Sequence, residues 1–343
     1  MKAVQLRQYE QTPELVDVPE PQITSPLDVL VRVGGAGVCR TDLHIIDGQW
    51  QEKSGVELPY TLGHENAGWV HEAGSAVTSM SVGDPVILYP LATCGLCCAC
   101  RDGHDEHCVN SAFPGINSDG GYAELIKTNA RAVVRLDPSL EPAEVAALAD
   151  AGLAAYHAVC KAAAALHPGD KAVVIGAGGL GHIGVQTLKA LSAAEIIVVD
   201  RSPEALKLAR ELGTEHLITA DGGQVDAVMD LTRGNGVEAV IDFVSEGGAI
   251  EDGVAMLRPA GNYYVIGYGG VLKVPTINFI GNLVGSYNDL AELMVLAAQG
   301  KVELPTSTYP LADYARALND LHEGNIRGRA ILVPEQHNPV SNL

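Results

Sequence analysis

The chain has 343 residues, of which 42 are acidic and 22 basic, so its formal net charge is −20. This charge argues against nucleic acid or an anionic membrane as a partner, because both would repel an acidic surface. No apolar run reaches the roughly 18 residues that a transmembrane helix needs. The amino terminus, MKAVQLRQYE, lacks the apolar core of a signal peptide. We therefore expect a cytoplasmic protein, and a chain of this length favours two domains.

The chain up to residue 150 is predicted to be rich in β-strands. Short apolar runs alternate with glycine and proline turns, as in VLVRVGGAGVC, NAGWVHEAG, DPVILYP and YAELIKT. Such runs are typical of an irregular antiparallel domain that closes partly into a barrel. The alanine-rich segment EPAEVAALADAGLAAYHAVCKAAAAL then predicts a helix that Gly152 interrupts.

Strands and helices alternate in the next part of the chain. DKAVVIGAGGLG predicts a buried strand that runs into a glycine loop, and HIGVQTLKALSA predicts a helix. EIIVVD is a second strand, and SPEALKLARELG a helix with Ser202 and Pro203 at its start. HLITA, AVIDFV and NYYVIG add strands, AELMVLAAQG and LADYARALNDLHEG add helices, and RAILVP ends the pattern with a strand. This alternation predicts an α/β domain with a doubly wound parallel sheet.

Five of the seven cysteines lie in CGLCCACRDGHDEHC, residues 94–108. Four of them have a spacing that brings their thiolates within reach of one tetrahedral zinc ion: Cys94, Cys97, Cys100 and Cys108. Cys98 breaks the spacing and is either a bystander or a rival ligand, and His104 and His107 could compete for a position. The alternative is a reduced loop without metal, which four neighbouring thiols make vulnerable to oxidation.

The loop GAGGLG has the G-x-G-x-x-G spacing of a dinucleotide-binding turn. Its candidate cofactor-binding residues are Gly176, Gly178, Gly179, Leu180 and Gly181. A strand precedes the loop, a helix follows, and the next strand ends in Asp200. A carboxylate there favours NAD, because it accepts hydrogen bonds from a ribose and repels the extra phosphate of NADP. Arg201 could offset part of that repulsion, and a purely structural turn is the alternative in a chain with 38 glycines.

A third group of candidate residues is dispersed along the chain. Cys39 lies in GVCRTDLH, His64 and Glu65 in LGHENAG, and Asp150 in LADAGL. A thiolate, an imidazole and a carboxylate can hold zinc and leave a fourth position for water or substrate. Each residue also has an ordinary structural explanation: a small buried cysteine, a turn histidine and a charge on a helix surface. Asp150 fits that explanation least, because its surroundings are alanine-rich and nearly free of charge.

These motifs, together with VGDPV and GRAILVP, resemble the zinc-dependent medium-chain alcohol dehydrogenases over almost the whole chain. The resemblance implies a GroES-like catalytic domain formed by residues 1–151 and 288–343. It also implies a Rossmann domain at residues 152–287, NAD as cofactor, and two zinc ions per subunit. Members of this family form homodimers or homotetramers, so we expect a homo-oligomer.

The resemblance also assigns roles to individual residues. The catalytic zinc ligands would be Cys39, His64 and Asp150, and the cysteine-rich loop would hold a structural zinc. Many members have a second cysteine in place of the aspartate. Glu65 would lie beside the ligands and coordinate transiently, and Asp42 would orient His64. Arg329 would meet the cofactor pyrophosphate, a task that Arg327 could share.

In this interpretation zinc acts as a Lewis acid on a substrate oxygen, and the hydride moves to the nicotinamide. Thr41 and His44 would carry the alcohol proton away. Trp50 and Tyr60 are candidate walls of the substrate pocket, and Ile46, Leu283 and Tyr287 are weaker ones. An apolar wall favours secondary or aryl alcohols and the matching ketones over polyols.

Two other classes of protein fit part of the pattern. A zinc-independent quinone or enone reductase would share GAGGLG, but it would have no use for Cys39, His64 or the cysteine-rich loop. A non-catalytic redox or zinc-storage protein would need neither the dinucleotide loop nor Thr41 beside a ligand cysteine. The sequence therefore favours the dehydrogenase over both.

Overall fold

A computed structural model of the protein describes residues 1–267, 278–282 and 284–335. The chain divides into two compact units. Unit 1 combines Met1–Asp150 with Leu304–Leu343, and unit 2 is Ala151–Glu303. One weaker pocket candidate, Leu283, lies outside the described residues. No helix among the described residues combines the length and the apolar content that crossing a membrane requires.

Residues 1–150 form strands with short helices between them. The strands are β1 (Lys2–Leu6), β2 (Glu14–Asp17), β3 (Asp28–Val38), β4 (Tyr60–Thr61), β5 (Glu65–Ala73), β6 (Pro85–Leu88), β7 (Leu125–Asn129) and β8 (Val133–Arg135). The helices are α1 (Arg40–Ile46), α2 (Gln51–Ser54), α3 (Cys98–Arg101) and α4 (Pro142–Val145). The predicted β-rich character of this part of the chain is thus confirmed.

Strands and helices alternate in unit 2, and the chain then returns to unit 1. The helices of unit 2 are α5 (Ala151–Ala163), α6 (Gly181–Leu191), α7 (Pro203–Glu211), α8 (Gln224–Leu231), α9 (Ala249–Met256) and α10 (Tyr287–Ala298). Its strands are β9 (Lys171–Ile175), β10 (Glu195–Asp200), β11 (His216–Thr219), β12 (Val237–Asp242), β13 (Leu257–Val265) and β14 (Asn278–Gly281). The returning segment contains β15 (Thr306–Pro310), α11 (Tyr314–His322) and β16 (Arg329–Val333).

Strand β3 is the centre of the larger sheet of unit 1. It pairs antiparallel with β5, β7 and β16, and the described strands of this sheet run in the order β15-β16-β3-β5-β6-β8. The register places Gly37 opposite Glu65, and a Cβ atom at Gly37 would lie 2.0 Å from Glu65 Oε2. Only glycine therefore lets β3 pass so close to the Glu65 carboxylate.

All described strands of unit 2 are parallel and run in the order β11-β10-β9-β12-β13-β14. The strand order reverses between β9 and β12, and the loops that follow these two strands flank a crevice where doubly wound sheets bind ligands. This arrangement confirms the doubly wound parallel sheet. Helix α7 begins as expected, since the Ser202 side chain accepts a hydrogen bond from Ala205 N and Pro203 follows.

The structure differs from the sequence analysis at two boundaries. Helix α10, which we had grouped with the catalytic domain, belongs to unit 2 because it packs on α5. The contact includes a 2.8 Å hydrogen bond from Tyr156 to Glu292 and a 2.8 Å pair of His157 with Asp289. The alanine-rich segment is broken before Ala151 rather than at Gly152, and the break leaves Asp150 in a turn ahead of α5.

Candidate active site

Cys39 is held at the junction of β3 and α1. It precedes the first residue of α1 with extended backbone angles, and its N–H donates to Asp42 Oδ2 at 2.9 Å. A carboxylate in the first turn accepts a backbone N–H that the helix itself leaves without a partner. The Asp42 side chain therefore fixes both the start of the helix and the direction of the Cys39 thiol. Cys39 is buried, with 8% of its surface exposed.

His64 lies between β4 and β5 with 1% of its surface exposed. Its Nδ1 is 3.3 Å from Asp42 Oδ1, and its Nε2 is 3.6 Å from Asp150 Oδ2. Neither ring nitrogen makes a hydrogen bond of good geometry to a described residue. Burial alone would lower the pKa of His64, but Asp42 and Cys39 raise the pKa well above its ordinary value. The ring thus lies in surroundings that favour positive charge at its nitrogens.

Glu65 and Arg329 form a buried ion pair beside this histidine. Arg329 Nη2 donates to Glu65 Oε2 at 2.5 Å, and the two side chains are 4% and 0% exposed. One ligand atom each of Cys39, His64 and Glu65 lies within 4.8 Å of the other two. In the structure, Arg329 therefore pairs with a carboxylate next to the candidate metal ligands. The contact of Arg329 with a cofactor pyrophosphate stays a prediction.

The charge balance of this cluster suits a divalent cation. Three carboxylates lie around His64, those of Asp42, Glu65 and Asp150, and Arg329 forms an ion pair with one of them, Glu65. Burial raises the pKa of Glu65 and of Asp150, although Arg329 and His64 oppose the shift for both. Buried negative charge of this kind is costly unless a cation compensates it. A zinc ion held by sulfur, nitrogen and oxygen atoms would supply that compensation.

Tyr122 is a site residue that the sequence analysis missed. It is fully buried, and its hydroxyl lies 2.8 Å from Asp42 Oδ2 and 3.1 Å from the Gly37 carbonyl. Asp42 therefore connects Tyr122 with the backbone of Cys39 and the ring of His64. The sequence held no local signal for this role, because Tyr122 and Asp42 lie 80 residues apart along the chain.

The cysteine-rich loop gathers the four predicted sulfur atoms. The Sγ atoms of Cys94, Cys97, Cys100 and Cys108 all lie within 4.8 Å of one another. The Cys97–Cys100 and Cys94–Cys108 distances are both 3.5 Å, near the roughly 3.8 Å edge of a tetrahedron with Zn–S bonds of about 2.3 Å. Cys98 is exposed and, like His104 and His107, is absent from this cluster.

Hydrogen bonds within the loop prepare these thiols for a metal. Backbone N–H groups of Leu96 and Cys97 lower the pKa of Cys94 to about 6, whereas burial raises the pKa of Cys100 to about 12. A cation shared by all the sulfur atoms would stabilise both as thiolates. The loop is anchored by Asp105, which accepts from Thr93 at 3.1 Å and from Arg131 at 3.0 Å.

The glycine loop joins β9 to α6 in unit 2. Gly176 has a φ angle of +84°, and a Cβ atom at Gly181 would lie 1.7 Å from the Gly176 carbonyl oxygen, so the turn and the packing require these glycines. A Cβ atom at Gly178 would meet nothing within 4 Å. Packing within the protein therefore does not explain that glycine. A glycine at this position lets the protein backbone approach a bound pyrophosphate closely.

Asp200 lies next to this loop at the end of β10. Its Oδ2 accepts from Ala177 N at 2.7 Å, and its Oδ1 accepts from Ser202 N at 2.7 Å. The loop and the carboxylate thus form one connected surface at the carboxyl edge of the sheet, with the exposed Arg201 beside it. Gly179 and Leu180 complete the turn ahead of α6.

Comparison with known proteins identifies the family. The family model described as the alcohol dehydrogenase GroES-like domain matches residues 25–138, and the one described as zinc-binding dehydrogenase matches residues 179–298. An NAD-dependent alcohol dehydrogenase of Sulfurisphaera tokodaii is 36% identical over 97% of this chain and 100% of its own. The chain belongs to the zinc-type medium-chain alcohol dehydrogenases.

Two further relatives have names that differ in substrate and cofactor. The crystal structure of an alcohol dehydrogenase from Aeropyrum pernix is 44% identical and covers 97% of this chain and 100% of its own, with a TM-score of 0.93. A D-arabinose 1-dehydrogenase (NADP(+)) of Saccharolobus solfataricus is 34% identical over 97% of each chain. The relatives of this chain thus include an enzyme named for a sugar and for NADP.

Thr41 and His44 lie on one face of α1, since residues three apart on a helix are neighbours. Both are partly exposed. The Thr41 hydroxyl is 3.7 Å from Cys39 Sγ. The structure thus places a hydroxyl next to a candidate ligand and an imidazole one turn further on, and their role in proton transfer stays a prediction.

The two predicted pocket walls differ in exposure. Trp50 precedes α2 and is partly exposed. Tyr60 is 3% exposed and packs in the hydrophobic core of unit 1 with Leu62. Its buried hydroxyl makes no hydrogen bond to a described residue. A side chain this buried offers almost no surface to a ligand, so its position corrects the expectation that Tyr60 is a pocket wall.

Proposed function

We propose that this member of the NAD-dependent alcohol dehydrogenase family oxidises secondary or aryl alcohols, and reduces the matching ketones or aldehydes in the reverse direction. The proposal rests on the environment of the Nε2 atom of His64. This atom is buried, makes no hydrogen bond to a described residue, and lies 3.6 Å from the carboxylate of Asp150, while one ring nitrogen of His64 lies within 4.8 Å of the Cys39 thiol. A ring nitrogen in this position has the surroundings of a metal ligand.

Cys39, His64 and Asp150 are the proposed protein ligands of the catalytic zinc. Asp150 is preferred to Glu65 because its side chain is 18% exposed and pairs with His64, whereas Glu65 is fully buried in its ion pair with Arg329. Glu65 would have to leave a guanidinium unpaired in order to coordinate, which is costly for a buried charge. Asp150 can coordinate without that loss, but its carboxylate lies outside the group of ligand atoms formed by Cys39, His64 and Glu65, so its side chain would have to turn towards Cys39.

When bound there, zinc would supply a Lewis acid for the substrate oxygen. The remaining tasks belong to side chains of this protein. Asp42 holds the Nδ1 side of His64, so that Nε2 is left for coordination. The Thr41 hydroxyl takes the proton of the alcohol as it gives its own proton to His44, one turn further along α1, and His44 releases a proton to solvent. Bound NAD would supply the acceptor for the hydride.

The second zinc is assigned to Cys94, Cys97, Cys100 and Cys108. Four sulfur ligands leave no coordination position open for a substrate, which is typical of structural zinc sites. This zinc would stabilise the loop at residues 94–108 and take no part in the reaction.

The dinucleotide is assigned to the glycine loop, with Asp200 selecting NAD. We expect Asp200→Ser to raise kcat/KM with NADP relative to NAD by roughly 5- to 150-fold, because removing a negative charge next to a phosphate is worth about 1–3 kcal/mol. Initial rates with both cofactors measure the change. Wild-type enzyme that prefers NADP would contradict the assignment and make Arg201 the dominant contact.

A panel of substrates tests the substrate class. It should contain 1-phenylethanol, 2-butanol, ethanol and D-arabinose, each with NAD and with NADP. We expect kcat/KM for 1-phenylethanol with NAD to exceed that for D-arabinose by at least about tenfold, since Trp50, the remaining main candidate for a pocket wall, would leave sugar hydroxyls unpaired. Faster oxidation of D-arabinose would overturn the proposed substrate class while leaving the zinc and NAD assignments intact.

A further inference from the structure

Asp242 is a buried carboxylate at the end of β12, outside the residues assigned so far. Its residue surface is 0% exposed. Oδ1 accepts from the N–H groups of Val244 at 2.8 Å and Ser245 at 2.9 Å. Oδ2 accepts from the hydroxyls of Ser245 at 3.1 Å and Tyr263 at 2.7 Å. Four donors thus satisfy a carboxylate whose burial would otherwise be costly.

These bonds hold Ser245 in an unfavourable backbone conformation. Its φ angle is +58°, and the residue is 1% exposed. A residue other than glycine in this region persists only where its surroundings impose it, and such residues cluster at ligand sites. Here Asp242 imposes the conformation through both the N–H and the hydroxyl of Ser245.

The loop at residues 243–248, which we name the β12 loop, packs directly on the glycine loop. A Cβ atom at Gly176 would lie 2.6 Å from Val244 Cγ2, and one at Gly184 would lie 2.5 Å from Phe243 Cζ. Strands β9 and β12 are neighbours where the strand order reverses. The β12 loop and the glycine loop therefore border the same crevice, from opposite sides.

A dinucleotide in that crevice extends to both sides of β9. Its adenosine half lies towards β10, where Asp200 ends the strand. Its nicotinamide half then extends to the other side of β9, where β12 is the neighbouring strand. Among the described residues of unit 2, the β12 loop thus borders the place of the nicotinamide half, and the position of that loop depends on Asp242.

We propose that Asp242 is a positioning residue for NAD, which holds the β12 loop against the glycine loop through Ser245 and Tyr263. The inference rests on the proposed dinucleotide site at Gly176–Gly181. Asp242 does not touch the cofactor itself. It acts through the β12 loop, so its loss changes cofactor affinity more than the rate of the chemical step.

Two adjacent tyrosines provide a matched test. Tyr263 and Tyr264 are both buried on β13, at 0% and 3% exposure. The Tyr263 hydroxyl donates to Asp242, whereas the Tyr264 hydroxyl donates to the Lys161 carbonyl at 3.3 Å. The variants Tyr263→Phe and Tyr264→Phe each remove one buried hydroxyl from the same strand, but only the first removes a bond to Asp242.

We expect Tyr263→Phe to raise the NADH dissociation constant and KM for NAD by about 5- to 20-fold, the effect of losing one hydrogen bond to a charged group. Its kcat and its KM for the alcohol should change less than about twofold. Tyr264→Phe should leave NADH binding within about twofold of wild type. It should nevertheless lower the melting temperature about as much as Tyr263→Phe does, since each variant loses one buried hydroxyl. Fluorescence titration, initial rates and thermal unfolding provide the three readouts.

Two variants of Asp242 itself test the same positioning role. Asp242→Asn keeps the acceptor for the two N–H groups, and both hydroxyls can turn to accept from its amide. It should therefore bind NADH more tightly than Asp242→Ala. Equal loss of NADH affinity in Tyr263→Phe and Tyr264→Phe, or no loss in either, would overturn the inference.

The variant Gly178→Val separates this inference from the proposed cofactor site. Its side chain enters open space, so the fold is retained, but it blocks the approach of a pyrophosphate. If Gly178→Val binds NADH like wild type, the proposed cofactor site is wrong. If Gly178→Val loses NADH and the two tyrosine variants behave alike, only the role of Asp242 is wrong.

Discussion

The two candidate zinc sites of unit 1 are built in different ways. The cysteine-rich loop takes its four sulfur atoms from residues 94–108, and backbone N–H groups of the same loop point at them. The cluster at His64 combines residues from α1, from the start of β5, from the turn before α5 and from β16. The first site is local and partly exposed, whereas the second is dispersed, buried and rich in carboxylates.

This difference predicts how each site responds to the loss of a ligand. A local thiolate site depends on its ligands and on the metal, because little else holds a short loop in place. A dispersed site is preformed by β-sheet pairing and by a buried ion pair, so losing a ligand leaves the fold intact. Removing the ion pair should damage the fold itself. The predictions below follow this contrast, beginning with the largest expected effect and ending with the smallest.

The largest effect is expected in the cysteine-rich loop. Cys97→Ser should lose one zinc per subunit and lower the free energy of unfolding by several kcal/mol, part of a metal-binding energy on the order of 10 kcal/mol. Metal analysis and thermal unfolding measure both changes. Cys98→Ser is the matched control and should change little, because Cys98 is exposed and outside the sulfur cluster. If the Cys98 variant loses metal and the Cys97 variant keeps it, the assigned ligand spacing is wrong.

Asp150→Asn should lower alcohol oxidation by at least about 10²-fold, or about 2.7 kcal/mol of transition-state free energy. The variant keeps the size of the side chain but loses its charge, so we expect it to fold, retain the structural zinc and bind NADH. Turnover, zinc per subunit and NADH titration measure these outcomes. Full zinc with near wild-type turnover would reduce Asp150 to a solvated charge and make Glu65 the next candidate ligand.

Glu65→Gln separates the ligand from the ion pair. Because it leaves the buried Arg329 guanidinium without its charged partner, we expect it to lower the free energy of unfolding by about 3–5 kcal/mol. Asp150→Asn should change the same quantity by less than about 1 kcal/mol. Denaturant unfolding of both variants measures the contrast. Similar stability of the two would mean that the Glu65–Arg329 pair does not support the fold.

Tyr122→Phe should release the catalytic zinc to a chelator about tenfold faster, since partners behind a metal ligand typically change metal affinity by about 10- to 100-fold. The zinc of the cysteine-rich loop provides an internal control, because no contact of Tyr122 reaches it among the described residues. Tyr60→Phe is the matched variant. The Tyr60 hydroxyl makes no hydrogen bond within the described part of the chain, so its removal should leave zinc release unchanged. Equal release rates in the two variants would exclude a role for Tyr122 behind His64.

The smallest effect is expected from the anchor of the cysteine-rich loop. Arg131→Gln removes an ion pair with Asp105 whose arginine side chain is 42% exposed, so we expect a loss of only about 0.5–1 kcal/mol. Zinc release from the loop should accelerate slightly, as a stopped-flow chelator assay can measure. Arg135→Gln, which breaks a similar ion pair with Asp84 away from the loop, is the control and should leave zinc release unchanged.

Features encoded over a short stretch were predictable. The four cysteines, the glycine loop with Asp200, and the alternation of strands and helices all depend on spacing along the chain, and the structure places each of them as expected. Local spacing suffices here because a zinc tetrahedron and a strand–turn–helix unit constrain neighbouring residues directly. The sequence by itself thus determined the family, the class of fold and the candidates for cofactor and metal.

Only the tertiary structure decided which distant side chains meet. The pairing of β3 with β5 and β16 brings Glu65 to Arg329, and the packing of α10 on α5 moves that helix into unit 2. Tyr122 reaches Asp42 by the same kind of long-range contact, whereas Tyr60 enters the core. No local pattern encodes these outcomes, because they depend on how burial, strand register and charge are balanced between segments far apart in the chain.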